Sequence, residues 1–319
     1  KSWIVLVVFW SFTVALRDDG TVWAWGDNTY GQLGQGNRVS ARKPVQVQGL
    51  TNIVSVAAGD NHVIALDNLG NVYTWGLNSS GQLGNGETST VTLPEKINSV
   101  GEQIISVSAG GNLSSIVDTT GAVYVFGDNS NEQIEEFKYN YDQYGQTILP
   151  ATNLYVAEPQ KIATINNAVK VDCLDDGIVI MKEDGSVVRT VKYAVQEDAE
   201  ITTIASKNMV DISATNESVM LLDKDGNIYT YGDNSKGQAG IGTTSGSVEL
   251  QLVTKPEDKT FFTIGTGYKN NYTIDTEGFV WAAGDNEYGQ LGNSLYESSY
   301  TFTLTGDRNF EIVPDSRII

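Results

Sequence analysis

A chain of 319 residues can bury a sizeable core. Its formal net charge of −19 and isoelectric point near 4.3 work against phosphate backbones and anionic membrane surfaces. With one histidine and one cysteine, a zinc centre, an internal disulfide and histidine-dependent nucleophilic catalysis have almost no residues to draw on. No cofactor, no metal, no direct nucleic-acid partner and no catalytic residue are expected.

The chain opens on an apolar run, Trp3-Ile4-Val5-Leu6-Val7-Val8-Phe9-Trp10, too short to cross a bilayer, and it is read as a first strand. No membrane insertion by this domain is expected. A β-turn-β phrase then ends in aromatic-Gly: Gly20, Val22-Trp23-Ala24-Trp25-Gly26-Asp27-Asn28, followed by Gly31-Gln32-Leu33-Gly34. The phrase returns as Gly70, Val72-Tyr73-Thr74-Trp75-Gly76-Leu77-Asn78 with Gly81-Gln82-Leu83-Gly84. A third copy keeps Gly121 and Val123-Tyr124-Val125-Phe126-Gly127-Asp128-Asn129 but loses the second glycine pair. The fourth is worn: Gly185 and Val187-Val188 remain, with Thr190-Val191 where aromatic-Gly belongs. The fifth and sixth are intact around Gly226, Tyr231-Gly232 and Gly237-Gln238-Ala239-Gly240, and around Gly278, Ala283-Gly284 and Gly289-Gln290-Leu291-Gly292.

The turn glycines Gly20, Gly70, Gly121, Gly185, Gly226 and Gly278 stand 50, 51, 64, 41 and 52 residues apart. The long and short intervals compensate, so six units fit. Each unit alternates apolar and small residues over short runs joined by tight turns, as in Val54 and Val56, then Val63–Leu66, Asp67–Gly70 and Val72–Trp75. Such a sheet cannot bury its apolar face alone, and stacking units side by side or radially covers it.

The run Ala58-Gly59-Asp60-Asn61-His62-Val63-Ile64-Ala65-Leu66, continuing through Gly76, Asn78 and Gly81-Gln82-Leu83-Gly84, resembles the regulator of chromosome condensation repeat. The resemblance covers nearly the whole chain and implies an all-β fold, a β-propeller with one four-stranded blade per repeat. Six blades are expected, with seven and one missing as the alternative, in a single domain over 1–319. The repeats are drawn at 1–43, 44–93, 94–158, 159–203, 204–255 and 256–300. The closing strands, 301–319, carry Thr301-Phe302-Thr303-Leu304 and Phe310-Glu311-Ile312-Val313 and are expected to complete the first blade and shut the ring.

Chemistry is sparse along this frame. His62 stands where other repeats place Phe12, Leu113, Gly177, Ser218 or Asn270-Asn271, which favours a structural hydrogen bond. Asp223-Lys224-Asp225-Gly226-Asn227 has the look of a calcium loop, but the same slot carries Asp118-Thr119-Thr120-Gly121 and Asp275-Thr276-Glu277-Gly278, and turn chemistry accounts for all of them. Cys173 fits a buried structural thiol.

The longest departure from the repeat runs from Glu132 to Pro159 and produces the 64-residue interval. Insertions in propellers map to loops on one face, where binding residues concentrate, and tyrosines among acids make a contact surface of low conformational-entropy cost. The candidate partner-binding residues are Glu135, Glu136, Phe137, Tyr139, Tyr141, Asp142 and Tyr144. The competing role for the segment is to patch the worn fourth blade.

The expected function is a non-enzymatic module that binds a protein partner through one propeller face and this Tyr-rich loop. It is placed at the cell surface or outside the cell, with the cytoplasm as alternative. The Asn-, Thr- and Ser-rich repeats suggest a bacterial-type member. Alternatives from other classes are a glycan hydrolase with carboxylates at the channel mouth and a structural spacer in a larger surface protein. The resemblance adds guanine-nucleotide exchange.

Overall fold

The period of the aromatic-Gly phrase reappears as a period of four-stranded antiparallel sheets. A computed structural model describes residues 3–8, 11–98, 100, 102–135, 138–141, 147–192, 194–195, 199–216, 218–256 and 258–309, and every regular element among them is a strand. The first sheet orders β1 (Trp3–Val8), β2 (Phe12–Arg17), β3 (Val22–Gly26) and β4 (Ala41–Gln46), and the second β5 (Ile53–Ala58), β6 (His62–Asp67), β7 (Val72–Gly76) and β8 (Val91–Lys96). In the third, β9 (Ile104–Gly110), β10 (Leu113–Asp118) and β11 (Val123–Asp128) precede a separate hairpin, β12 (Lys138–Tyr141) with β13 (Thr147–Thr152), and the sheet is completed by β14 (Tyr155–Lys161). The fourth is β15 (Ala168–Cys173), β16 (Ile178–Lys182), β17 (Val187–Lys192) and β18 (Glu200–Ala205). The fifth is β19 (Met209–Ala214), β20 (Ser218–Asp223), β21 (Ile228–Asp233) and β22 (Ser247–Leu252), and the sixth β23 (Phe261–Thr266), β24 (Asn270–Asp275), β25 (Phe279–Gly284) and β26 (Ser299–Asn309). The fold is all-β, a six-bladed β-propeller. The chain divides into two compact units, residues 1–183 with 188–203 and residues 184–187 with 204–319.

Two expectations are corrected by the pairing. The C-terminal strand β26 is the fourth strand of the sixth sheet, and the first sheet is built from β1 to β4 alone. Thr301–Leu304 is thus equivalent to the outer strand β4, as its sequence suggests, but it completes its own blade. Phe310–Val313 and the rest of 310–319 lie outside the described residues. The repeat boundaries at 43/44, 93/94, 158/159 and 203/204 fall inside β4, β8, β14 and β18. The turn glycines set the period correctly, but each outer strand pairs back onto the aromatic-Gly strand before it.

The turns close as their side chains dictate. Asp67 Oδ1 accepts from the backbone N–H of Leu69 and Asn71, both at 2.9 Å, and Gly70 takes a φ of 81°. Asp118, Asp223 and Asp275 repeat the arrangement. Glycine is required at Gly70 because φ is left-handed and an added Cβ would strike Gln103 of the next blade. Every residue of β6, β10 and β20 is buried, since the second strand of a blade is covered on both faces. In β24 the pattern alternates between buried and half-buried.

The second, third and sixth blades are each locked to the preceding one by a side chain that reaches the carbonyl of its Gln. The indole Nε1 of Trp75 donates to Gln32 O at 2.9 Å, Ser114 Oγ to Gln82 O at 2.8 Å, and Asn271 Nδ2 to Gln238 O at 3.0 Å. The worn fourth blade is nonetheless complete. Its glycine has changed strands: Gly177, across from Thr190, gives the close approach that Gly26 gives opposite Phe12, and buried Thr190 accepts from Ile178 N through its Oγ1 at 3.1 Å.

Candidate protein-interaction site

The loop after each aromatic-Gly is organised by one asparagine. Asn28, Asn78, Asn129, Asn234 and Asn286 are all fully buried. In each, Oδ1 accepts from the N–H five residues on, at Leu33, Leu83, Ile134, Ala239 and Leu291. Nδ2 donates to carbonyls further along the loop. A buried amide with both ends satisfied fixes a loop that has no ladder bonds of its own.

The third blade keeps this device although its glycines are gone. Glu132, with φ of 60°, stands in the place of Gly31, Gln133 in that of Gln32, buried Ile134 in that of Leu33, and Glu135 in that of Gly34. Sequence reasoning took Glu132–Glu135 for the beginning of the insertion. The signal that could have corrected it was Gln133-Ile134, which conserves the loop's buried pair. The insertion proper starts after Glu135 and ends at Asn153.

Both feet of the insertion are tied to Asn129. Its Nδ2 donates to Glu135 O and to Asn153 O, each at 2.9 Å, and Asn153 Nδ2 donates to Glu135 Oε1 at 2.7 Å. From these feet rises the hairpin, in which Lys138 pairs with Thr152, Asn140 with Ile148 and Tyr141 with Thr147. It leaves its blade at the end where Gly110, Leu113 and Gly127 meet and where Asp128 pairs with Tyr155. At its base Leu154 and Tyr155 are 41% and 46% exposed.

Of the seven predicted contact residues, Glu135 turns out to be a clasp at the foot of the insertion, its carboxylate engaged by Asn153. Tyr139 and Tyr141 lie in β12. Glu136, Phe137, Asp142 and Tyr144 lie outside the described residues. The blade's own loop ahead of the insertion bonds to the fourth blade, where Ala194 N and Val195 N donate to the carbonyls of Gln133 and Ile134 at 3.4 and 3.1 Å. The fourth blade has its own four strands, with Val171, Ile178, Ile180 and Val188 in its core.

His62 is a structural group. Ser114 Oγ gives its proton to Gln82 O, so at 2.9 Å from that oxygen His62 Nε2 must be the donor. Nδ1 then faces no hydrogen-bond partner among the described residues, and burial pushes the imidazole pKa down to about 3. A ring this weakly basic and fully enclosed cannot serve a nucleophile at neutral pH. Cys173, 3.0 Å from Ser115 Oγ, is pushed up to about 12 by burial. Among the described residues no three His, Cys, Asp or Glu side chains gather as a metal site, and no helix is long and apolar enough to cross a membrane.

Residues 19–66 and 70–117 match the model of the regulator of chromosome condensation (RCC1) repeat, and 53–82 match a second form of it. The first two units of the chain are thus RCC1 repeats. It is 26% identical to human protein RCC2 over 280 residues, covering 85% of this chain and 48% of that protein. To the ultraviolet-B receptor UVR8 of Arabidopsis thaliana it is 26% identical over 285 residues, 88% of this chain and 53% of the receptor. The mouse E3 ubiquitin-protein ligase HERC2 is 26% identical over 77% of this chain, which is 5% of the ligase. The RCC1-repeat chain thus spans about half the length, or far less, of the curated relatives it matches. Among solved structures, yeast RCC1 (Prp20) bound to Kap60 superposes with a TM-score of 0.76 at 18% identity, covering 96% of this chain and 75% of that one. The expectation of a bacterial-type member is not borne out, since these relatives come from animals, a plant and yeast.

Proposed function

We propose that this RCC1-repeat propeller is a non-enzymatic protein-interaction module and that the inserted hairpin of its third blade is a recognition element. The observation that carries the proposal is the clasp of Asn129, Glu135 and Asn153, which holds a two-stranded projection on a rigid blade. A contact surface mounted in this way loses little conformational entropy on binding. The exposed Leu154 and Tyr155 at its base extend the apolar area beside it. Relatives of the same repeat support protein binding in general, since the yeast propeller is a partner of Kap60 and a second study of Prp20p describes binding to Gsp1p and histones.

The test is capture of partners by the intact chain and by a variant whose residues 137–151 are replaced with a short Gly-Ser linker, both checked for the same thermal unfolding midpoint. A partner retained by the first and lost from the second supports the module. Equal retention by both refutes the hairpin's role.

A further inference from the structure

In the second blade the loop after the aromatic-Gly strand carries Asn85-Gly86, the one Asn-Gly pair in the chain. Such a pair sets a side-chain amide beside a backbone nitrogen that no side chain shields. The deprotonated glycine nitrogen attacks the asparagine Cγ, the Cγ–Nδ2 bond breaks, ammonia leaves and a five-membered succinimide remains. Water opens that ring at either carbonyl and gives aspartate or isoaspartate. The equivalent positions in the first, fifth and sixth blades are Gln35-Gly36, Ile241-Gly242 and Asn293-Ser294. Glutamine closes a six-membered ring more slowly, isoleucine has no amide, and the serine side chain crowds the nitrogen.

The folded chain keeps both reacting groups off this path. The Gly86 N–H donates to Ala157 O of β14 at 2.9 Å, so the nucleophile is tied to the outer strand of the third blade. The electrophile is tied to its own loop: Asn85 Oδ1 accepts from Nδ2 of the fully buried Asn78 at 3.1 Å and from Glu87 N at 3.2 Å. The seam is close-packed. A Cβ added at Gly81 would lie 2.6 Å from Ala157 Cα, and one at Gly86 would lie 3.2 Å from Glu158 Oε1. All of these residues belong to one compact unit.

The products do not fit the seam. Isoaspartate routes the backbone through the former side chain and lengthens it by one carbon, which carries the Gly86 N–H away from Ala157 O. Either product also adds a negative charge close to Glu87 and Glu158, so like charges oppose the return of β14.

We propose that Asn85-Gly86 is a deamidation site guarded by the seam between the second and third blades. It reacts when β14 leaves the loop, and the reaction keeps the strand from returning, so the modification is a one-way record of local opening. Because β14 follows directly on the insertion that ends at Asn153, a modified chain also loses the fixed base of the third-blade hairpin. The inference stands on the seam and is independent of the hairpin's role in recognition.

The test is incubation of the intact chain at mildly alkaline pH, without urea and along a urea series, with aspartate and isoaspartate at position 85 followed by peptide mapping. An Asn85→Gln variant sets the background. The expected result is conversion in the unfolded chain, conversion more than about tenfold slower in the folded chain, and a rate that already rises at urea concentrations below the global transition. A Gly81→Ala variant, in which the new Cβ presses on β14, is expected to convert several-fold faster than wild type without urea. Chains modified and returned to native conditions should show fast exchange of the Gly86 amide. Equal rates in folded and unfolded chains would mean that the seam guards nothing. A rate that rises only with global unfolding would rule out local opening, whether or not the Gly81 variant folds. Modified chains that keep a slowly exchanging Gly86 amide would overturn the one-way step.

Discussion

Asn129 and Asn153 are separated by the whole third-blade insertion in the chain and by one hydrogen bond in space, Nδ2 to backbone oxygen at 2.9 Å. The same amide nitrogen donates to Glu135 O, and its oxygen accepts from Ile134 N and Glu135 N. The hairpin is therefore an addition to a finished blade. Asn129→Ala removes both halves of this buried arrangement and is expected to destabilise the fold by about 2–4 kcal/mol, read from the urea midpoint. A loss below about 0.5 kcal/mol would mean that the clasp contributes little.

Glycine substitutions separate backbone strain from blade packing. Gly34 and Gly49 have φ values of 64° and 76°, but an added Cβ at Gly34 would lie 2.6 Å from Val47 Cγ1 and 3.2 Å from Trp75 Nε1, while at Gly49 it meets nothing within 4 Å. Gly49→Ala should cost about 1–2 kcal/mol from the left-handed backbone alone. Gly34→Ala should cost at least about 1–3 kcal/mol more, because the blade interface must shift. Equal unfolding midpoints for the two variants would show that the interface yields freely.

Acid should loosen the fold in part through His62. Its folded pKa is about 3, below the ordinary 6.5, so between those values the unfolded chain binds the proton more readily. Stability from this group is full above pH 6.5 and declines as pH falls toward 3, by up to a few kcal/mol. His62→Asn keeps a donor toward Ser114 and should flatten the stability profile between pH 6.5 and 4. Below that range, burial raises the carboxylates of Asp67, Asp118, Asp223 and Asp275, but the bonds they accept outweigh it and hold them under their usual value. They therefore add a second acid-dependent loss, fully absent only above the ordinary carboxylate range, in wild type and variant alike.

Cys173 should resist alkylation in the folded chain. Burial both encloses the thiol and pushes its pKa up to about 12, leaving almost no thiolate at pH 8. Mass spectrometry after iodoacetamide treatment is expected to find it modified only with denaturant present. Rapid labelling without denaturant would mean that the fourth blade opens readily.

Much of the fold is legible because turn chemistry and period are local. Asp67-Asn68-Leu69-Gly70 states its own geometry, and the buried Asn78 and Gln82 can be read at fixed offsets from Gly76. The outer strands were misassigned because Ala41–Gln46 and Val91–Lys96 are polar and exposed, so no apolar alternation marks which sheet they join. Glu132–Glu135 was missed because glutamate adopting the left-handed backbone of Gly31 leaves no trace in composition. The fourth blade looked defective because its glycine moved from the aromatic strand to Gly177.

The third-blade hairpin is the recognition element of the proposed module. The measurement that tests it directly is hydrogen–deuterium exchange of the intact chain with and without the captured partner. Protection concentrated in residues 138–155, with the six blade cores unchanged, is the predicted result. Protection elsewhere on the propeller while 138–155 exchange as in the free chain would contradict it.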